Sequence, residues 1–148
     1  MIVTDILNGV KSNMSTVLGA SFNELPYVRN VEKNNFNTNH DRYGVQAKAS
    51  FQTDTVTKTV TMFQTFEMVI TKAYIEDGIS DDDSRAKHLE IQDLYIDIYK
   101  SLVNNKASVP GTVLDVQDLT TQEPEYLEEE KVIVLRASVN VLYRFSLI

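Results

Sequence analysis

The chain contains no cysteine and no tryptophan, and it has only five glycines and three prolines among 148 residues. Without cysteine, disulfide bonds, thiol nucleophiles and thiolate metal sites are excluded. The scarcity of glycine and proline leaves little room for flexible linkers, so we expect a single domain over residues 1–148. No apolar run is long enough to cross a bilayer, and we therefore expect no membrane partner.

Positive charge is also in short supply, because 14 Lys and Arg stand against 21 Asp and Glu, giving a formal net charge of −7. Such a surface does not neutralise a phosphate backbone, so we expect no specific binding of nucleic acid. DNA could still slide past an acidic surface without adhering to it. With 43% hydrophobic and 24% charged residues, the composition is typical of a globular fold with its own core.

Motifs for catalysis and cofactor binding are missing from the sequence. His40 and His88 have no nucleophile or second ligand at a diagnostic spacing, and there is no glycine-rich phosphate loop. We therefore predict no enzyme activity, no catalytic residues, no cofactor and no metal. The alternative is a small metal- or ligand-binding domain using Asp77, Asp81 and Asp83 of the acidic segment 76–83.

The strongest pattern is the alternation in Lys131–Ile148, which predicts one long closing strand. One face of this strand is apolar throughout and is made by Ile133, Leu135, Ala137, Val139, Val141, Tyr143, Phe145 and Leu147.

Two amphipathic helices are predicted, over residues 2–19 and about 83–104, because apolar side chains recur at three- and four-residue steps. The acidic residues Asp81, Asp82 and Asp83 suit the beginning of the second helix, where carboxylates stabilise the helix dipole. Gly19 fits the end of the first helix.

Further alternation predicts an antiparallel hairpin of strands 43–52 and 57–75, with a turn at 53–55. A short strand at 113–117 pairs with the closing strand, and 27–31 is a candidate short strand. The predicted fold is α+β, a mostly antiparallel sheet of about four to five strands with two helices packed on one face.

Two polar connections are predicted to order only on assembly, the asparagine-rich loop 32–42 and the hairpin tip 118–131. In the first, the candidate contacts are Asn34, Asn35, Phe36 and Asn37. A candidate acidic lumen or partner surface is formed by Asp81, Asp82, Asp83, Glu128, Glu129 and Glu130.

The second face of the closing strand mixes apolar residues such as Val132 and Val134 with charged ones. We predict that Arg136, Leu142 and Arg144 on this face meet a neighbouring subunit. Arg136→Glu or Leu142→Asp should then prevent assembly and leave the monomer folded.

This organisation resembles the tail-terminator and neck (tail-completion) proteins of long-tailed bacteriophages. The similar segments are MIVTDILNGVKSNM, VTKTVTMFQTFEMVITKAYI, DSRAKHLEIQDLYIDIYKSLV and KVIVLRASVNVLYRFSLI. The resemblance covers nearly the whole chain and rests on the order of its elements.

The resemblance implies a structural virion protein, assembled in the host cytoplasm, that forms a homohexameric ring on the tail tube. Such a ring ends tube growth, offers a head-to-tail joining surface and lets DNA pass through its lumen. Its expected partners are other copies of the chain, the tail tube protein, the head-completion or neck proteins and, in contractile tails, the sheath protein. A head-side connector or adaptor ring of the same neck is the alternative.

Overall fold

The computed structural model describes residues 1–37, 39–74 and 81–148, and the side chains of residues 81–84 lie outside this description. Two helices, α1 (Ile2–Leu18) and α2 (Asp81–Asn105), accompany a six-stranded sheet. The strands are β1 (Asn23–Glu24), β2 (Arg42–Val56), β3 (Thr59–Ala73), β4 (Val113–Thr121), β5 (Glu125–Leu127) and β6 (Val132–Ser146). The predicted α+β class is confirmed, with one or two more strands than expected.

The sheet has the strand order β1-β2-β3-β6-β4, and β5 pairs with β6 beyond the end of β4. All pairings are antiparallel except the two-residue contact of β1 with β2. β3 and β6 pair without interruption from Thr59 opposite Ser146 to Ala73 opposite Val132. The closing strand therefore lies in the middle of the sheet, which explains why it is the most apolar stretch of the chain.

The two helices cover one face of the sheet, which we call the front face; the opposite face is the back face. The residues of β6 that alternation assigned to the apolar side all lie on the front face, and those from Ile133 to Tyr143 are at most 3% exposed. They pack against helix residues such as Ile6, Met14, Tyr95 and Ile98. Burial of these side chains is the main stabilising contribution to the fold.

Asn13 joins the ends of the two helices. Its side-chain amide donates to the carbonyl of Gly9 (2.7 Å) and to the hydroxyl of Ser108 (3.1 Å), and its oxygen accepts from Ser101 (2.5 Å) and Asn105 (2.7 Å). Only 2% of Asn13 is exposed, so these bonds replace water around a buried amide.

Gly9 allows the chain after α2 to approach α1. A Cβ at this position would lie 1.8 Å from the carbonyl oxygen of Ala107, which follows α2 in a short 3-10 turn. The glycine that weakens α1 as an isolated helix is thus required by its packing.

Three local predictions differ from the structure. The hairpin turns at Thr57 and Lys58, with φ of 42° and 65°, and not at 53–55. The segment 27–31 is not a strand, because it bends over the back face instead. The acidic tip contains the short strand β5. Neither helix of the described chain is long and apolar enough to span a membrane.

Candidate interaction surfaces

Half of the back face is covered by the segment Leu25–Phe36, which we call the cover segment. Its residues Leu25, Val31 and Phe36 pack on Val69, Val132 and Val134 of the sheet, and all six are at most 3% exposed. A Cβ on Gly44 would lie 2.6 Å from a methyl group of Val28, so the glycine lets the cover segment close on β2. Val132 and Val134 therefore face this second small core and not a neighbouring subunit.

Asn34 and Phe36 belong to the inside of the chain. The Asn34 side chain accepts from the N–H of Tyr27 (3.0 Å) and donates to the carbonyls of Tyr27 (2.7 Å) and Val31 (2.8 Å). It is 6% exposed and Phe36 is 3% exposed. Their side chains hold the cover segment in place, which corrects their assignment as contact residues. Asn35 and Asn37 are exposed and remain predicted contacts.

Arg136 is also occupied within the chain. Its guanidinium lies 3.1 Å from the carboxylate of Glu67 and 3.6 Å from that of Glu125, and it donates to the carbonyl of Val28 (3.3 Å). The side chains of Arg136 and Glu67 are 15% and 12% exposed. Because the pair bridges the sheet and the cover segment, Arg136→Glu would destabilise the monomer itself. We therefore expect the loss of assembly in this variant to be accompanied by a loss of stability, so Arg136→Glu does not test the subunit contact by itself.

The two predicted loops meet at one end of the sheet. A cleft of about 660 Å³ is lined by Asn34, Asn35, Phe36, Asn37, His40, Glu129, Glu130 and Lys131. Sequence spacing could not show this proximity, because the two loops lie far apart in the chain. No group of three or more His, Asp or Glu within residues 1–37, 39–74 and 81–148 is placed to hold a metal ion.

The acidic segment 76–83 is only partly within the described chain. Residues 75–80, including Asp77, lie outside the described residues, and Asp81, Asp82 and Asp83 are described only as the first backbone residues of α2. The helix beginning lies at the same end of the sheet as Glu128, because Lys72 at the end of β3 forms a hydrogen-bonded ion pair with Glu90 of α2. This hydrogen bond lowers the pKa of Glu90 from its ordinary value.

The other half of the back face carries an apolar row that crosses three strands. Phe51 of β2 is opposite Phe63 of β3, which is opposite Leu142 of β6. The ring centroids of the two phenylalanines are 5.2 Å apart, and Phe51 remains 51% exposed. Phe63 and Leu142 are half-buried. Accessible aromatic rows of this kind are typical of protein interfaces.

Arg144 borders the apolar row. It is exposed and lies beside Asp54 and Thr61 in a shallow pocket, and it forms no ion pair with any described carboxylate. Leu142 and Arg144 thus remain accessible, as their prediction as contacts requires. We call Phe51, Phe63, Leu142 and Arg144 the open patch.

Both edges of the sheet have long unpaired stretches. β1 pairs only with Arg42 and Tyr43, so no described strand covers the outer edge of β2 from Gly44 to Val56. Residues 47–56 of this strand are all exposed. At the opposite edge, β4 and β5 form the border of the sheet.

The edge formed by β4 carries carboxylates, and two of its carbonyls accept hydrogen bonds from neighbouring elements. Its carbonyls at Leu114 and Val116 accept from Lys106 (2.8 Å) and Tyr99 (3.1 Å). Burial, together with the carboxylates of Asp115 and Asp118, raises the pKa of the Tyr99 hydroxyl.

Tyr95 is a large and fully buried side chain whose hydrogen bonds leave no signal in the sequence. Its hydroxyl donates to the backbone carbonyl of Leu135 (2.5 Å) and lies 3.2 Å from that of Met68. Burial raises the pKa of this hydroxyl well above its ordinary value. The residue anchors α2 to the middle of the sheet.

Comparison with known protein families finds no matching family model, and no curated protein matches the chain.

Proposed function

We propose that this chain is a structural subunit of a tail-terminator ring in a long-tailed bacteriophage. The open patch is the observation that supports the proposal best. It places two phenylalanines and a leucine in accessible positions on a rigid sheet, beside an arginine that has no ion-pair partner among the described residues. An exposed apolar row does not stabilise an isolated subunit, whereas a subunit that docks on a protein surface buries the row.

In this proposal the end of the sheet that carries the open patch docks on the last ring of the tail tube. The cleft at the other end of the sheet, with Glu129 and Glu130, then faces the joining proteins of the head or the lumen. Carboxylates in a lumen repel the phosphate backbone and help DNA to pass without adhering. The ring works by binding and positioning, without catalysis, and its place is the neck of the virion.

Size-exclusion chromatography with light scattering, followed by electron microscopy with purified tail tubes, tests the proposal. A ring of six 16.8 kDa chains that sits at tube ends is the expected result. Phe51→Asp should abolish tube binding and leave the fold intact, because Phe51 is half exposed.

Ile96→Asp is the matched control, since Ile96 is 46% exposed on the outer surface of α2. This variant should still bind tubes. A wild-type chain that stays monomeric and ignores tube ends would contradict the proposal. Rings that bind the head vertex and never the tube would favour the connector alternative.

A further inference from the structure

We infer that neighbouring subunits join by placing the free edge of β2 beside β4 of the next copy, with Lys48 of one copy opposite Asp118 of the other. The inference rests on the proposed ring and names the contact that would build it. Three observations support it: the directions of the two edge strands, the positions of their free residues along the strand direction, and the charges of the two edges.

The strand directions allow such a contact to repeat around a ring. β2 is antiparallel to β3, β3 to β6, and β6 to β4, so the two edge strands β2 and β4 run in opposite directions. Rotating a copy about an axis parallel to the strands keeps every strand direction. It therefore sets β4 of one copy antiparallel to β2 of the next. The contact joins two different surfaces, which is the kind that closes into rings.

The free parts of the two edges also lie at the same level along the strand direction. In β2, Ala47 is level with Val139 of β6 and Ser50 with Val141, through their partners in β3. In β4, Gln117 is paired with Asn140 and Thr120 with Ser138. Lys48 and Asp118 therefore both lie at the level of residues 138–141 of β6. A rotation without any shift along the axis brings them together.

Both side chains lie on the back face. The Lys48 ammonium is 4.0 Å from the carboxylate of Glu67, and the side chain remains 45% exposed. The Asp118 carboxylate accepts from the amide of Asn140 (3.0 Å), and the residue is exposed. Glu67 already has its close partner in Arg136, so Lys48 is free to turn towards a second carboxylate.

The charges of the two edges are complementary. From residue 44 to residue 58, β2 and the turn after it carry Lys48 and Lys58 against the single Asp54. The strip of residues 113–127 that contains β4 and β5 has no lysine or arginine and carries four carboxylates, Asp115, Asp118, Glu123 and Glu125. Two copies of the same chain therefore attract at unlike edges and repel at the two acidic edges. This selects a head-to-tail contact over a symmetric one.

Bulges limit how much of the contact is a backbone ladder. β2 shifts register between 47 and 50 and between 52 and 54, and β4 does so between 113 and 115 and between 117 and 120. Bulges on edge strands commonly prevent indiscriminate pairing. The side-chain charges then decide which residues of the two edges face each other. A β4 carbonyl that already accepts one hydrogen bond can still accept a second from the neighbouring copy, because its oxygen has two lone pairs.

The test is a charge exchange between two variants. Lys48→Glu alone sets the new carboxylate against Asp118 at every contact, and Asp118→Lys alone sets the new ammonium against Lys48. Each should raise the concentration for half-assembly about tenfold or more, because like charges then face each other. In an equimolar mixture of the two single variants, a Lys48→Glu copy and an Asp118→Lys copy pair opposite charges at both kinds of contact between them, whereas two copies of the same variant pair like charges. The mixture should therefore form rings in which the two variants alternate, and native mass spectrometry distinguishes these rings by their mass from rings of one variant.

The expected rescue is sharpest when both changes are placed in one chain. In the double variant Lys48→Glu with Asp118→Lys, every contact between copies again pairs opposite charges, so rings should form at concentrations close to those of the wild type. Light scattering and native mass spectrometry of the two single variants and the double variant measure this directly.

Controls separate misfolding and a failed ring from a wrong contact. Lys100→Glu and Asp97→Lys make the same charge changes on the exposed surface of α2, which covers the front face of the sheet, and should assemble normally. Asp118→Asn keeps an acceptor for Asn140 and should weaken assembly without lowering the melting temperature. Normal rings from both charge-reversed single variants, or single variants that fail and are not rescued in the double variant, would overturn the contact while the ring stands. A wild-type chain that never assembles would overturn both.

Discussion

Replacing Phe36 with alanine tests whether the cover segment is part of the folded subunit. The side chain is 3% exposed and packs with Leu25, Val31, Val69, Val132 and Val134. Removing a buried phenylalanine side chain costs roughly 3–5 kcal/mol of unfolding free energy. Because this core is small and lies at the surface, we expect the lower value, about 3 kcal/mol. For a chain of this length that corresponds to a melting temperature lower by about 6–12 °C.

Urea denaturation followed by circular dichroism measures the loss, and trypsin provides a second measurement. Arg29 and Lys33 are exposed within the cover segment, and the Phe36→Ala variant should be cleaved there faster than wild type. Asn37→Ala is the matched control, because its exposed side chain makes no hydrogen bond in the described chain. Its effect should stay within about 0.5 kcal/mol.

Equal stability of the Phe36→Ala and Asn37→Ala variants would refute this role of the cover segment. If Phe36→Ala left the monomer as stable as wild type and prevented assembly, Phe36 would act at an interface, as its position in an asparagine-rich loop suggested. The pair of measurements thus distinguishes a structural residue from a contact residue.

Three polar side chains that have partners within the chain give further predictions. Arg136→Ala should cost about 2–3 kcal/mol by removing the close ion pair with Glu67, and Arg136→Met combined with Glu67→Leu should recover most of it in urea titrations. Asn13→Ala should cost about 2–3 kcal/mol and the exposed Asn104→Ala less than about 0.5 kcal/mol, measured in the same way. Tyr95→Phe should cost about 1 kcal/mol at neutral pH. Since burial raises the pKa of Tyr95, the wild type loses stability as pH rises above about 10, where the unfolded tyrosine ionises. The difference between wild type and Tyr95→Phe should therefore shrink in denaturation curves above about pH 10, and a constant difference would contradict the reasoning.

The regular elements were predictable because their signals are local. Alternation in β6 and the helical spacing in α1 and α2 each reflect one face turned towards a core. The hairpin turn was placed wrongly for a local reason as well. Thr57 and Lys58 adopt positive φ without glycine or asparagine, which are the residues that usually mark such a turn.

The contacts of the charged residues were not predictable, because they depend on partners far away in the chain. The alternation of β6 predicts that Arg136 is a surface cation, yet its guanidinium lies against the carboxylate of Glu67 and the carbonyl of Val28. Nothing within several residues of Arg136 indicates this. A useful signal would have been the cross-strand position of Glu67, which lies diagonally opposite Arg136 once β3 and β6 are paired end to end.

The back face shows why residues at equivalent positions in one strand pattern have different roles. Val134 and Leu142 occupy equivalent positions in the alternation of β6, and both are aliphatic. Val134 is 1% exposed because the cover segment, far earlier in the chain, reaches it, whereas Leu142 lies beyond the end of that segment. A substitution at Val134 therefore reports on folding, and one at Leu142 reports on contacts with other chains. Leu142→Asp remains a test of the predicted contact for this reason: the side chain it replaces has no role in the second core.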